Sequence, residues 1–233
     1  KRAAEYNCPA VALTDTGNMM AAFQFVKEVL NYNKSIDAQA AQALEKGEPF
    51  SKRKLVPIVG CEFNICRNRL EKNNKDNGYQ VIFLAKNKKG YHNLAKMASI
   101  AYTEGFYYVP RIDREVVSKY KDNLIVLTGA VNGEIPSLIL NAGENQAEES
   151  LLWWKEQFGD DFYLEINRHG SEEERRVNET LLKFHEKYGV KVVAANTNYY
   201  LDKKDANAHD ILLCIKDGEL KSTPVGNGRG HRF

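Results

Sequence analysis

Carboxylates, an imidazole and hydroxyls recur in this sequence where short apolar runs stop. Ala10 to Leu13 gives way to Thr14, Asp15, Thr16, Gly17 and Asn18, and Val56 to Cys61 ends on Glu62. Phe162 to Glu165 leads through Ile166 and Asn167 to Arg168, His169 and Gly170. Leu124 to Leu127 runs into Thr128-Gly129-Ala130, and Val190 to Ala195 into Asn196-Thr197-Asn198. A carboxylate on a tight glycine turn at the C-terminal end of a buried strand is where α/β folds place their chemistry. Taken alone, Asp15 and Asn18 read better as a cap for the next helix. Repetition of the pattern shifts the balance, because polar groups at the same end of several parallel strands describe the mouth of a barrel. Ser118 and Ser137 lack the His and Asp spacing of a nucleophile, and Gly159-Asp160-Asp161 reads as a helix-to-strand turn.

Elements that could hold such a mouth follow from the apolar periodicity. Strands are expected at Ala10–Leu13 (covered on both faces), Val56–Ile65, Tyr79–Ala85, Asn123–Leu127, Phe162–Ile166 and Val190–Ala195. Helices are expected from Asn18 to about Asn33, and over Asn87–Thr103, Glu134–Asn141, Glu144–Phe158, Glu172–Tyr188 and Lys203–Ile215. A short helix follows Asp113, Ser171 caps the fifth of the long ones, and Gly189 ends it. Ser35–Lys54, rich in Ala, Gln and Lys, reads as an insertion with its own short exposed helix. The aromatic stretch Glu104–Asp113 reads as a loop that packs over the barrel or forms a docking surface, packing being the commoner use. Strand–helix alternation predicts an α/β fold with mainly parallel strands.

Composition narrows the class. The chain of 233 residues is 43% hydrophobic and 27% charged, with a net charge of +2. That is enough apolar material for one α/β domain and too little charge for strong steering to nucleic acid. Four cysteines without a CxxC pair suit a reducing cytoplasm. No stretch has the ~20 apolar residues of a membrane span. The chain has no initiator Met and opens in a helix-like segment, so a preceding segment is expected. Residues 222–233, rich in Gly and Arg, read as the start of a connection to something further on.

Taken in order, ALTDTGNM at Ala12–Met19, PIVGCEF at Pro57–Phe63, KGYHNL at Lys89–Leu94, GFYYVPRID at Gly105–Asp113, LTGAVNGEIP at Leu127–Pro136, EINRHG at Glu165–Gly170 and YLDKKDANAHDILLCI at Tyr200–Ile215 cover nearly the whole chain. The set resembles the PHP (polymerase and histidinol phosphatase) family, and within it the domain that begins the alpha subunit of bacterial DNA polymerase III. The resemblance implies a distorted (β/α)7 barrel with its first strand before Lys1. It also implies a PHP domain over 1–221 and a metal cluster at the C-terminal mouth. Active members use two or three divalent metals to activate water and hold a phosphate ester.

Carried over by motif, the implied ligands Asp15, Glu62 and His169 are retained. Thr16 stands where the family has His, Ala130 where active relatives can have Cys, and Thr197 and Tyr199 where a final Asp-x-His pair belongs. A neutral hydroxyl is a poor substitute for imidazole or carboxylate at zinc or manganese. The resemblance therefore implies a degenerate site with at most residual zinc or manganese, and a catalytically inactive domain. In the parent polymerase, magnesium-dependent nucleotidyl transfer would reside elsewhere. Implied partners are the other domains of that chain, the proofreading exonuclease (epsilon) subunit and DNA through the parent, with no membrane. The competing expectation is an active metal-dependent phosphoesterase, either a 3′–5′ exonuclease or a histidinol-phosphatase-like enzyme.

Overall fold

The computed structural model describes residues 1–223. Two compact units divide the described residues: Ala3–Ala195 with Lys1, and those from Asn196 onward with Arg2. The chain opens with a one-turn helix α1 (Arg2–Glu5), followed by β1 (Ala10–Leu13), α2 (Ala22–Lys46), β2 (Val56–Ile65), β3 (Tyr79–Ala85) and α3 (Lys88–Thr103). Next come β4 (Arg111–Ile112), α4 (Arg114–Tyr120), β5 (Leu124–Leu127), α5 (Glu134–Asn141) and α6 (Glu144–Phe158). The first unit ends with β6 (Phe162–Ile166), α7 (Glu172–Tyr188) and β7 (Lys191–Ala194). In the second unit a 3-10 turn (Lys203–Asp205) leads into α8 (Ala206–Asp217). Of the expected connection at 222–233, the part from 224 onward lies outside the described residues.

One seven-stranded sheet runs β1-β2-β3-β5-β6-β7, with β4 added to β2. Pairs β1–β2, β2–β4, β5–β6 and β6–β7 are parallel, as the alternation predicts. Only β3 runs against its neighbours β2 and β5. No helix separates β2 from β3, and a direct return without a crossover gives antiparallel pairing.

Alternation along the strands sorts the side chains onto two faces. Phe63, Phe83, Val126, Phe162 and Leu164 lie on the face that joins the helices in the core, with Leu94, Met97, Leu151 and Trp154. On the other face the register aligns Glu62 with Ile82, Ile82 with Leu127 and Leu127 with Tyr163. Glu165, two residues beyond Tyr163, shares that face and pairs with Val193.

Several expectations are corrected. β1 is only half-buried, not covered on both faces, because among the described residues it pairs with β2 alone. Ser35–Lys54 is not a separate insertion: α2 continues unbroken to Lys46. Its apolar stripe runs on through Val29 and Ile36, and its Ala- and Gln-rich composition favours helix. Asn33 does not stop the helix; its side chain holds both backbone groups of Leu55, at 2.8 and 2.9 Å. Leu30, next to Val29 on the helix, falls off this stripe and is exposed. Asn18 does not cap α2 but accepts from the Met20 amide at 3.1 Å, a local turn one step earlier. The caps at Asp113 and Ser171 are present and Gly189 ends α7, whereas Asn87, expected inside its helix, is instead the cap of α3.

The aromatic stretch holds the short strand β4, which is too brief to show a period. Phe106 and Tyr108 point outward rather than pack over the sheet. Tyr108 adopts φ 62°, an uncommon left-handed conformation for a bulky residue. Fully buried Arg111 donates to the carbonyls of Gly105, Asp76, Arg69 and Glu71 at 2.9–3.1 Å. A Cβ at Gly105 would fall 1.9 Å from the Arg111 carbonyl oxygen, so only glycine permits this approach.

Candidate functional site

β1 and β2 continue in register past the end of the strand, so that Thr16 lies opposite Glu62. Two backbone hydrogen bonds fix this: Glu62 N donates to Asp15 O at 3.1 Å, and Gly17 N to Glu62 O at 2.7 Å. Gly17 turns the chain away at φ 71°, and a Cβ there would lie 2.9 Å from Pro110 Cγ. Opposed residues present their side chains to the same face. The Thr16 hydroxyl accordingly donates to Glu62 Oε1 at 2.7 Å. A hydroxyl has taken the place where the family resemblance implies an imidazole, and it is spent on the neighbouring carboxylate.

Burial pushes the Glu62 carboxyl above the usual range, and the Thr16 hydrogen bond only partly opposes this. Cys61, facing the core, has its thiol pushed up to about 12, foremost by burial, with Glu62 and Asp15 adding their charges. It stays a neutral thiol and is no thiolate ligand.

Across the sheet, Glu165 is 2% exposed and Asn167 3%. Asn167 Nδ2 donates to Glu165 Oε1 at 3.1 Å, and the Glu165 amide donates to Thr128 Oγ1 at 2.8 Å. Glu165 Oε2 and Asn167 Oδ1 are buried without a hydrogen-bond partner. Burial raises the Glu165 carboxyl; Asn167 lowers it, the Glu62 charge raises it further, and the Gly129 backbone amide lowers it. Two carboxylates on one face thus feel each other across the sheet. Sequence reasoning placed Glu165 at a strand end but gave it no role. Its one legible signal was an acidic residue closing an apolar run two positions before Asn167.

His169 departs from the expected set. Its ring Nδ1 pairs with Glu174 Oε1 at 2.6 Å, and its amide donates to Glu174 Oε2 at 2.7 Å. Glu174 also belongs to the capping box of α7 with Ser171. Burial pushes the Glu174 carboxyl up, but the bonds from the His169 ring, the His169 amide and Ser171 outweigh it and hold it below the usual range. The side chain of His169 is thereby tied to a helix start. Asp15 is half-buried beside Thr16, and Ala130 sits in the turn between β5 and α5 with no donor to offer. Thr197 and Tyr199 belong to the second unit, where both are exposed and Tyr199 stacks on His209 at 5.3 Å. Among the described residues, no three His, Cys, Asp or Glu side chains converge so as to hold a metal ion. The donors that the resemblance implies therefore do not fit a multi-metal cluster.

A pH-dependent prediction follows from Glu165. A carboxyl raised in the folded state supports stability below its unfolded pKa, and that support is lost as pH rises through the folded pKa. At neutral pH and without divalent cations, Glu165→Gln should therefore melt higher than the parent. We expect roughly 2–4 °C, the shift that about 1 kcal/mol makes in a domain of this size. The gain should fade toward pH 4, as read by melts across pH; an equal or larger gain in acid would contradict it.

Comparison with known proteins adds three findings. A family model described as PHP domain matches residues 1–169. DNA polymerase III subunit alpha of Borreliella burgdorferi is 39% identical over 225 residues, covering 95% of this chain and 18% of the relative. The subunits of the same name from Thermus aquaticus and Deinococcus radiodurans are 37% and 33% identical, covering 93% and 91% of this chain. The chain spans only 16% and 15% of those two relatives, less than a fifth of any of the three.

Proposed function

From the premise that the chain belongs to the PHP domain family, we infer that it is the PHP domain of a bacterial replicative DNA polymerase, a DNA polymerase III subunit alpha. In this reading residues 1–221 form a catalytically inactive structural and docking domain. Its retained family positions Asp15, Glu62 and His169 are the vestige of a metal site broken at Thr16, Ala130, Thr197 and Tyr199. The parent carries out template-directed, magnesium-dependent nucleotidyl transfer to DNA through a part of the chain beyond this one. Partners are the parent's other domains, the proofreading exonuclease (epsilon) subunit, and DNA held by the parent, in the bacterial cytoplasm.

The observation that carries the inactive reading is the reassignment of the family positions to internal hydrogen bonds. Thr16 binds Glu62, and His169 is committed to Glu174. Hydrolysis of a phosphate ester by this family's chemistry needs metals that both activate water and hold the ester. Ligands engaged elsewhere leave no such pair.

The test joins metal analysis with an assay. We expect fewer than about one zinc or manganese per purified chain, where a hydrolytic cluster would hold two or more. We also expect no cleavage of a 3′-mismatched primer or of histidinol phosphate, with or without added manganese. Chelator-sensitive cleavage accompanied by two or more metals would replace this reading with that of an active phosphoesterase.

A further inference from the structure

The near-neutral charge of the whole chain, +2, hides one helix of a single sign. Over its 16 residues α3 carries Lys88, Lys89 and Lys96 and no carboxylate. Among the described residues none of these three lysines is in an ion pair, whereas Lys86, just before the helix, is neutralised by Asp161, and Lys183 and Lys187 on α7 by Glu144 and Glu148. A helix start favours acidic residues, and α7 duly begins with Glu172, Glu173 and Glu174. Lys88 and Lys89 in the first turn of α3 therefore do nothing for the helix itself. Gly90, Leu94, Met97 and Ala101 turn one side of α3 to the core. On the opposite side, at 3.6 residues per turn, Lys89 and Lys96 stand along one edge and Tyr91 and Tyr102 along the other, with His92 between them. The two tyrosines are 37% and 46% exposed. Tyr102 stacks on the equally open Phe106 at 6.2 Å, their planes 20° apart. Glu104, just past the helix, is spent on Arg69 at 2.9 Å. Asp122 approaches α3 through its carbonyl oxygen, which accepts from Asn93 Nδ2 at 2.9 Å; one carboxylate against three lysines leaves the face positive.

We propose that this outer face of α3 binds single-stranded nucleic acid, with Lys89 and Lys96 on its phosphates and Tyr91 and Tyr102 under its bases. A basic track beside open aromatic rings holds a single strand without regard to sequence, because every base has a π face. Along the helix axis Lys89 and Lys96 are about 10 Å apart, and Tyr91 and Tyr102 about 16 Å, which a strand of a few nucleotides spans. Duplex DNA keeps its bases stacked inside and would engage the lysines alone. An acidic peptide would do the same and leave the rings idle, so the pairing of a charged edge with an aromatic one favours the single strand. The face shares no residue with the retained family positions and needs no metal. It goes beyond the inactive-domain reading, which leaves DNA to the rest of the parent, by giving this chain a nucleic-acid contact of its own.

The test is fluorescence anisotropy of a labelled oligothymidylate of about 12 nucleotides, within the site sizes of single-strand binders, titrated with this chain in the presence of EDTA. We expect a dissociation constant of about 1–100 µM at physiological salt, the range of non-specific binding, and a logarithmic salt slope near about −1.4 for two phosphate contacts. Lys89→Ala combined with Lys96→Ala should weaken binding by about tenfold or more and flatten that slope. Tyr91→Ala should weaken it by about fivefold or more, the loss of one stacked base, and leave the slope alone. Lys183→Ala, which removes a paired lysine from α7, should change nothing. If the double variant fails to give a cooperative melt, Lys89→Gln alone serves, with half the change in slope. Absence of binding would overturn the proposal, as would an equal loss in Lys183→Ala. Binding to a hairpin duplex as tight as to the single strand, and indifferent to Tyr91→Ala, would reduce the face to a backbone contact and overturn it too. Displacement by oligoglutamate at equal charge would replace it with an acidic protein partner. Because no cleavage is measured and metals are chelated, absent binding leaves the inactive-domain reading standing, and cleavage in the primer assay would sink that reading without touching this one.

Discussion

Replacing Arg111 with leucine is expected to destabilise the chain by about 3–5 kcal/mol, the cost of breaking a buried charged network by removing one member. The side chain is fully buried, and its guanidinium donates to four backbone carbonyls drawn from residues 69, 71, 76 and 105. Leucine would leave all four without that donor. Water reaching the edge of the loops would satisfy some of them, which keeps the loss below the sum of four separate penalties. Arg111→Lys keeps the charge but not the flat five-donor fork, so it should recover only a minor part. The measurement is urea unfolding of the three proteins. Since most domains hold only about 5–15 kcal/mol, the leucine variant should show a large fall in midpoint. A loss under about 1 kcal/mol would mean that the loops are held by something else.

Trp154→Ala should cost a similar amount, about 3–5 kcal/mol, for a different reason. The indole is 2% exposed, stacks on Phe158 at 5.9 Å and meets Phe83 at 6.0 Å. Its Nε1 also donates to Glu134 Oε2 at 2.9 Å, while Arg114 holds the other carboxylate oxygen at 2.6 Å. The substitution removes a large apolar surface and leaves a carboxylate short of a donor at the start of α5. Trp154→Phe separates the two effects: it refills most of the volume and loses only the hydrogen bond, at about 1–3 kcal/mol. Denaturant melts of both variants check this, and equal losses would mean that packing is not the larger share. Glu134 follows the turn that carries Thr128, which accepts from the Glu165 amide.

Much of the framework could be read directly because its signals are local. Ser171 and Asp113 cap their helices as expected, because their side chains are short enough to reach back to the first turn. The longer apolar runs became strands within a residue or two of expectation. What was misread depends on partners distant in sequence. Asn33 looks like a helix stop until Leu55 is seen to occupy its amide. Two residues, Arg111 and Ile112, form a strand only because β2 lies beside them.

The site was partly legible in the same sense. Thr16 and Glu62 were picked out by motif, but their hydrogen bond follows from the register of two strands. His169 carried no mark of its commitment to Glu174, which the structure shows closing the capping box with Ser171. Glu165 and Asn167 escaped because the burial of a carboxylate and an amide is decided by what the sheet and its turns put over them.

Pro110 links two regions that otherwise look unrelated. Its carbonyl accepts from Asn64 Nδ2 at 3.1 Å, and its ring lies where Gly17 would carry a Cβ. Asn64 is two residues from Glu62 on the same strand, and Gly17 follows Thr16. The outward-facing Tyr108, two residues before Pro110, is therefore strapped to the backbone on both sides of the Thr16–Glu62 pair. Close-packed contacts of this kind transmit displacement with little slack. A displacement of this aromatic stretch is therefore shared by the strand ends that carry Thr16 and Glu62, and by reciprocity a change at that pair is felt at the stretch.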